Sequence, residues 1–245
     1  MTPLWLSETV AEYWDLAGGE EPFPRSLERS VSLALPLAIV KMPRLRIRSI
    51  EEWLDRRGIV CGIAFGDRLL RGCLVAHRGC GLIFIDGADT PDELRFTLAH
   101  EVAHFIVDYH QVRERASRLL GPRVLEVLDG MRPPTADERV HAILGSAPLG
   151  LRLHLMQRSA FGYGEGSVDE AERRANRLAV ELLAPLEEVR RRLHRASDPA
   201  SAEEAMGILV ADMGLPPAVA RWYARIVVSG RLRQSTFLRQ LGLRR

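Results

Sequence analysis

The stretch TPDELRFTLAHEVAHFIVDY, Thr90 to Tyr109, decides how the rest of the chain is read. Thr90 stands three residues before Glu93, with Pro91 between them and acids at positions 92 and 93. That is a capping box with proline at the first helical position and negative charge in the first turn, so the spacing predicts a helix from Pro91 to about Tyr109. At about 100° per residue, Leu94, Leu98, Val102, Phe105, Ile106 and Tyr109 form one apolar stripe, and His100 and His104 lie nearly opposite its centre. Within this helix His100-Glu101-Val102-Ala103-His104 is an HExxH pattern. Two His four residues apart project from adjacent turns, about 6 Å apart along the axis, so both imidazoles reach one ion while Glu101 points beside it. Zinc suits this pair of ligands.

A catalytic zinc takes three protein ligands and keeps one position open, so a third ligand is required. His110 has the spacing of an HExxHxxGxxH pattern, but Val107 stands where that pattern has the glycine that turns the chain. Continued as helix, His110 points roughly 120° away from His104. Asp108 shares the His face but lies about 12 Å along the axis from His100. The better candidate is Glu172, in a second helix opened by the capping box Ser167-Val168-Asp169-Glu170 and stopped by Pro185. Its apolar stripe is Ala171, Ala175, Leu178, Ala179, Leu182 and Leu183, and Glu172 falls inside the edge of that stripe, whereas Glu170 and Glu181 point away. A carboxylate facing the interior needs a cation or strong donors. Asn176, one turn later, is placed to orient a ligand from behind. The alternative for Glu172 is a salt bridge to one of the many Arg.

Outward from these helices, the pattern of breakers predicts a helix over Ser7–Ala17, then Gly18-Gly19, Pro22 and Pro24, which mark residues 1–24 as a tethered arm. A helix from Leu27 to about Leu35, a strand over Leu37–Met42 and a helix over Ile50–Arg57 follow. Ile59–Phe65, Leu69–His77 and Cys80–Asp86 read as three strands of an antiparallel meander. Residues 111–166 look like an insertion with helices over Arg113–Leu128 and Ala136–Leu144. Ser201–Met213 and Ala218–Val228, separated by Gly214-Leu215-Pro216-Pro217, have helix-turn-helix proportions and are expected to form a helical subdomain over 197–245 that braces the core. One small antiparallel or mixed sheet with segregated helices is an α+β architecture.

The 245 residues, 47% apolar and 27% charged, describe an ordinary globular chain and exclude collagen-like, coiled-coil and wholly disordered classes. Its longest apolar stretch, Val31–Val40, is far short of the roughly 20 residues a bilayer needs. MTPLWLSETVAEYW lacks the features of a signal peptide, so a cytoplasmic location is expected. Cys61, Cys73 and Cys80 have neither disulfide-framework nor CxxC spacing. The formal charge is only +2, but Leu186–Arg245 carries eleven Arg against six acids, net +5, a weak pointer to nucleic acid.

Read together, LRFTLAHEVAHFIVDY and EAERRANRLAVELLAP resemble the two signatures of the ImmA/IrrE family of metallopeptidases. The resemblance covers most of residues 25–196. It implies a gluzincin ligand set, with His100, His104 and Glu172 binding Zn2+ and Glu101 serving as catalytic acid/base, and it implies cleavage of an XRE-type helix-turn-helix repressor carried on a separate chain. The 67 residues between His104 and Glu172 exceed the spacing of compact family members. On this reading an extended peptide adds to an edge strand, expected at Gly81–Asp86, and Tyr163, His154 or Tyr109 supplies an oxyanion donor, with Tyr163 favoured from its loop position. The competing reading is a metal-binding or DNA-binding regulator without proteolysis.

Overall fold

The computed structural model describes residues 2–59, 66–136, 138, 150–158, 170–196 and 201–240. Its elements are α1 (Leu4–Ala17), α2 (Leu27–Ala34), β1 (Leu37–Met42), α3 (Ile47–Asp55), β2 (Leu70–His77) and β3 (Cys80–Asp86). Next comes α4 (Pro91–His104), which runs through a π-helical turn over Phe105–His110 into α5 (Gln111–Leu120), followed by α6 (Val124–Leu128) and β4 (Arg152–Gln157). The chain then forms α7 (Glu170–Leu183), α8 (Leu186–Ala196), α9 (Ala202–Ala211) and α10 (Pro217–Gln240). This is the expected α+β class. Among the described residues no helix is long and apolar enough to cross a membrane.

The sheet is mixed, in the order β1-β3-β2-β4. β2 and β3 form the expected hairpin, closed by Arg78 and Gly79 with φ of 49° and 84°, the two left-handed residues that a twisted two-residue turn demands. The expected meander is otherwise corrected. β3 is flanked on its other side by β1 in parallel register, Leu37 opposite Gly81, and β2 is flanked by β4, antiparallel with Leu74 opposite His154. Residues 60–65 of the expected strand Ile59–Phe65, the expected helix over 136–144 except for its first residue and position 138, and the capping residues 167–169 lie outside the described residues.

One face of the sheet carries Leu37, Leu74, Ala76, Ile83, Ile85 and Met156 into the main core beneath α4 and α7. The opposite face carries Cys73, Val75 and Phe84 against Ile47, Ile50 and Leu54 of α3. Because α4 is pressed between sheet and α7, every residue from Phe96 to His104 is buried, and polar side chains there are forced into contact with one another.

Neither end of the chain forms a separate body. α1, expected in a tethered arm, buries Leu6, Tyr13 and Trp14 in the main core. Gly18 ends α1 in the left-handed conformation, its N–H donating to the Asp15 carbonyl and that of Gly19 to the Trp14 carbonyl, so the glycines turn the chain back instead of releasing it. The buried Arg25 guanidinium then lies against the Trp14 and Phe23 rings and donates to the Leu182 carbonyl at 2.8 Å. At the other end, Leu209, Met213, Leu215, Tyr223 and Val227 enter the same core. Glu181, expected to point away from the apolar stripe, is instead buried, where it accepts the Leu186 N–H at 3.1 Å and the Tyr223 hydroxyl at 3.2 Å and ties α7 to α8 and α10. Tyr223 and Val227 therefore face the core, and Arg221 and Arg225 are exposed on the other side of the helix.

Candidate metal centre

α4 supplies His100, Glu101 and His104, α7 supplies Glu172 and Asn176, and β4 supplies His154. The Nε2 atoms of His100 and His104 approach the Glu172 carboxylate at 3.6 and 3.4 Å, and His154 Nε2 hydrogen-bonds to its Oε1 at 2.9 Å. The four candidate donor atoms, one from each of His100, His104, His154 and Glu172, lie within 4.8 Å of one another. The carboxylate that α7 brings from 68 residues downstream of His104 thus meets both imidazoles of the HExxH helix.

Each ring is held from behind through Nδ1. His100 Nδ1 is 3.0 Å from Asn176 Oδ1 and His104 Nδ1 is 2.7 Å from Asp108 Oδ2. Since a carbonyl or carboxylate oxygen only accepts, these contacts place a proton on Nδ1 and turn Nε2 toward the shared point. Asn176 hydrogen-bonds to His100, not to the Glu172 on its own helix. Asp108 is excluded from the ion's position as expected, and its work is to fix His104. His110 is turned away, stacked on Phe105 and paired with Glu114 at 3.4 Å.

Buried polar atoms normally have partners, and the exceptions mark where something else binds. His100 Nε2, His104 Nε2 and Glu101 Oε1 are buried without any hydrogen bond, and the first two face the same carboxylate. Two orphan imidazole nitrogens with a carboxylate are the donors that zinc accepts, so the residues fit the ion.

The three imidazoles differ in how their surroundings bias protonation. Burial, joined by the neighbouring His104 and His154, pushes His100 well below its ordinary value, leaving it neutral. Burial also opposes charge on His104, but Asp108 and then Glu172 outweigh it and raise it. For His154 burial is again the largest opposing influence, overcome by Glu101 and Glu172, which push it up to about 10. His104 and His154 hold the Glu172 carboxyl well below the usual carboxylate range against its burial.

Glu101 is fully buried, with Oε2 hydrogen-bonded to His154 Nδ1 at 2.8 Å. It fits because β2 has glycine beneath it. A Cβ added at Gly72 would lie 2.7 Å from Thr97 Cγ2 and 2.9 Å from Glu101 Oε1, contacts that real Cβ atoms do not make. The β2–β4 register also shifts between Leu70 and Gly72, a bulge of the kind that re-aims side chains near sites. Gly72→Ala should therefore displace Glu101, destabilising the fold by about 1–3 kcal/mol through overpacking. Thermal unfolding checks the size of the effect, and zinc titration should find the ion still bound.

Tyr163, favoured above as oxyanion donor, lies outside the described residues. Tyr109 is removed from the site, since its hydroxyl oxygen accepts the Gly79 N–H at 2.8 Å at the tip of the β2–β3 hairpin. His154, the remaining candidate, is in the centre of the site. A signal for it existed: Leu151, Leu153 and Leu155 alternate with Arg152, His154 and Met156, so that His154 faces the α4 side of the sheet once the segment is read as a strand.

No known family model matches this chain, and no curated protein does so either.

Proposed function

We propose that the protein is a zinc-dependent metalloendopeptidase, similar in ligand set to the ImmA/IrrE metallopeptidases, acting on an XRE-type helix-turn-helix repressor. The observation that carries this reading is the pair of buried, unpartnered Nε2 atoms of His100 and His104 facing Glu172, with the Glu101 carboxylate at their side. His100, His104 and Glu172 would hold the ion. When bound, zinc supplies the Lewis acidity that amide hydrolysis requires.

Glu101 is suited to move a proton between a water and the departing amine. Its Oε1 has no hydrogen-bond partner in the protein, while Oε2 is anchored on His154, so one oxygen is free to exchange a proton as the other fixes the group. Substrate would lie along β4 and not along Gly81–Asp86, because β3 is paired on both sides whereas β4, among the described residues, is paired with β2 alone. Added to that edge, an extended peptide runs beside His154 and reaches the ligands without any rearrangement of the sheet. The expected insertion over residues 111–166 thereby supplies, through β4, the strand to which the peptide would add.

One observation favours the second reading, a metal-binding regulator without proteolysis: His154 brings the convergent donors to four, the number typical of closed, non-catalytic zinc sites. The two are separated by incubating the zinc-loaded protein with an XRE-type repressor and following new chain termini by mass spectrometry. Cleavage that stops with a chelator and returns with zinc supports the peptidase. Metal binding with an intact repressor supports the regulator.

A further inference from the structure

We infer that His154 is itself a ligand of the ion, so that the resting centre has three imidazoles and one carboxylate. The inference rests on the metal-binding part of the function proposed above. Its ground is that the three His share an Nδ1 support and converge through Nε2 on one carboxylate; the Nε2 atoms of His100 and His104 have no hydrogen bond, whereas that of His154 holds one to Glu172 that a bound ion would replace. In each, Nδ1 is held by an oxygen acceptor, Asn176 for His100, Asp108 for His104 and Glu101 for His154, at 3.0, 2.7 and 2.8 Å. In each, Nε2 points at the Glu172 carboxylate, at 3.6, 3.4 and 2.9 Å. Around a tetrahedral zinc with bonds of about 2.0 Å, donor atoms stand about 3.3 Å apart. The three separations bracket that value, and no other described side chain competes for the fourth corner.

The ligands differ in how firmly they are seated. His100 and His104 belong to a helix buried on all sides, with side chains 3% and 2% exposed, while the His154 side chain is 15% exposed on a strand paired along one edge only. Among the three imidazoles His154 is therefore the least firmly seated, and it lies on the strand to which a peptide would add. While it is bound the ion has no free corner, and its Nδ1 also keeps Glu101 engaged. Pairing of a peptide with the β4 edge is the event that would draw His154 away, opening the fourth corner and releasing Glu101 together. This makes the centre closed until a strand is offered to it.

Zinc K-edge absorption of the full-length zinc-loaded protein counts the imidazoles directly, and three are expected. Cobalt substitution gives a second readout: the native protein should show the intense visible bands of a four-coordinate ion, and His154→Ala should show weaker bands as solvent enters. Losing even an outer partner of a ligand costs roughly 10–100-fold in affinity, so the zinc affinity of His154→Ala should fall by about 100-fold. His154→Gln, which retains a donor for Glu101, should fall similarly if ligation is what matters. Two imidazoles, with the cobalt spectrum unchanged in both variants, would overturn this inference and leave the peptidase reading standing. A native protein that binds no ion would overturn both.

Discussion

Glu101→Gln should leave the ion bound and lower peptide cleavage by about 10²–10⁴-fold, the usual contribution of a positioned acid/base. The replacement is isosteric, which matters at a fully buried position packed over Gly72. An amide oxygen can still accept from His154 Nδ1, so the ring stays in place, but the amide cannot take a proton from water. Nothing in the substitution touches His100, His104 or Glu172, and zinc content should be unchanged. Turnover and metal content have to be measured on the same preparation. A large loss of cleavage at full zinc occupancy is expected, and undiminished cleavage would remove Glu101 from the reaction. A parallel loss of zinc would show instead that the residue supports the ligands.

His104→Ala should have the largest effect on metal binding. It deletes one donor and breaks two further contacts, the 2.7 Å hydrogen bond to Asp108 and the 3.4 Å approach to Glu172. Among the described residues Asp108 then keeps Arg152 alone, whose guanidinium is 3.6 Å away, and a half-buried carboxylate stripped of its hydrogen bond costs about 1–3 kcal/mol. The ion's contribution to stability should vanish as well. For a ligand at about 1,000 times its Kd the folded state gains roughly 4 kcal/mol, so zinc should raise the Tm of the native chain by several degrees and leave that of His104→Ala unmoved. An equal zinc-induced shift in both proteins would place the ion elsewhere.

What could be read from the sequence follows from what is local. β1 and β3 have the bounds the pattern predicts because branched residues between proline and glycine breaks leave little choice, and α4 begins where its capping box puts it. Pairing is not local. The three apolar runs before α4 suggested a meander, yet β3 takes β1 as its neighbour, a partner 44 residues earlier in the register Leu37 to Gly81, which no alternation within either strand encodes. The arm over residues 1–24 failed for a related reason. Gly18-Gly19 ends a helix, but whether the chain then departs or folds back depends on where Tyr13, Trp14 and Arg25 find partners, and those lie on α2 and at the end of α7.

The candidate site divides in the same way. His100 and His104 share a face by helical arithmetic, and Glu172 betrayed itself as a carboxylate within an apolar stripe, so the meeting of the three was legible before any coordinates. Asn176 was recognised as a residue placed to orient a ligand, but which one was not legible, because the angle between two helices decides that its amide reaches His100. His154 was weighed only as an oxyanion donor. Its place among the ligands depends on the register of Leu74 with His154, a fact of sheet assembly.

The convergence of an α7 carboxylate with the α4 imidazoles is tested most directly by native mass spectrometry of the zinc-titrated protein beside Glu172→Ala. The native chain should take up one zinc per molecule, and the variant should require about 100-fold more zinc to reach the same occupancy, given what outer partners alone contribute. Equal uptake by the two proteins, or none by the native chain, would contradict the metal centre from which the functional reading is built.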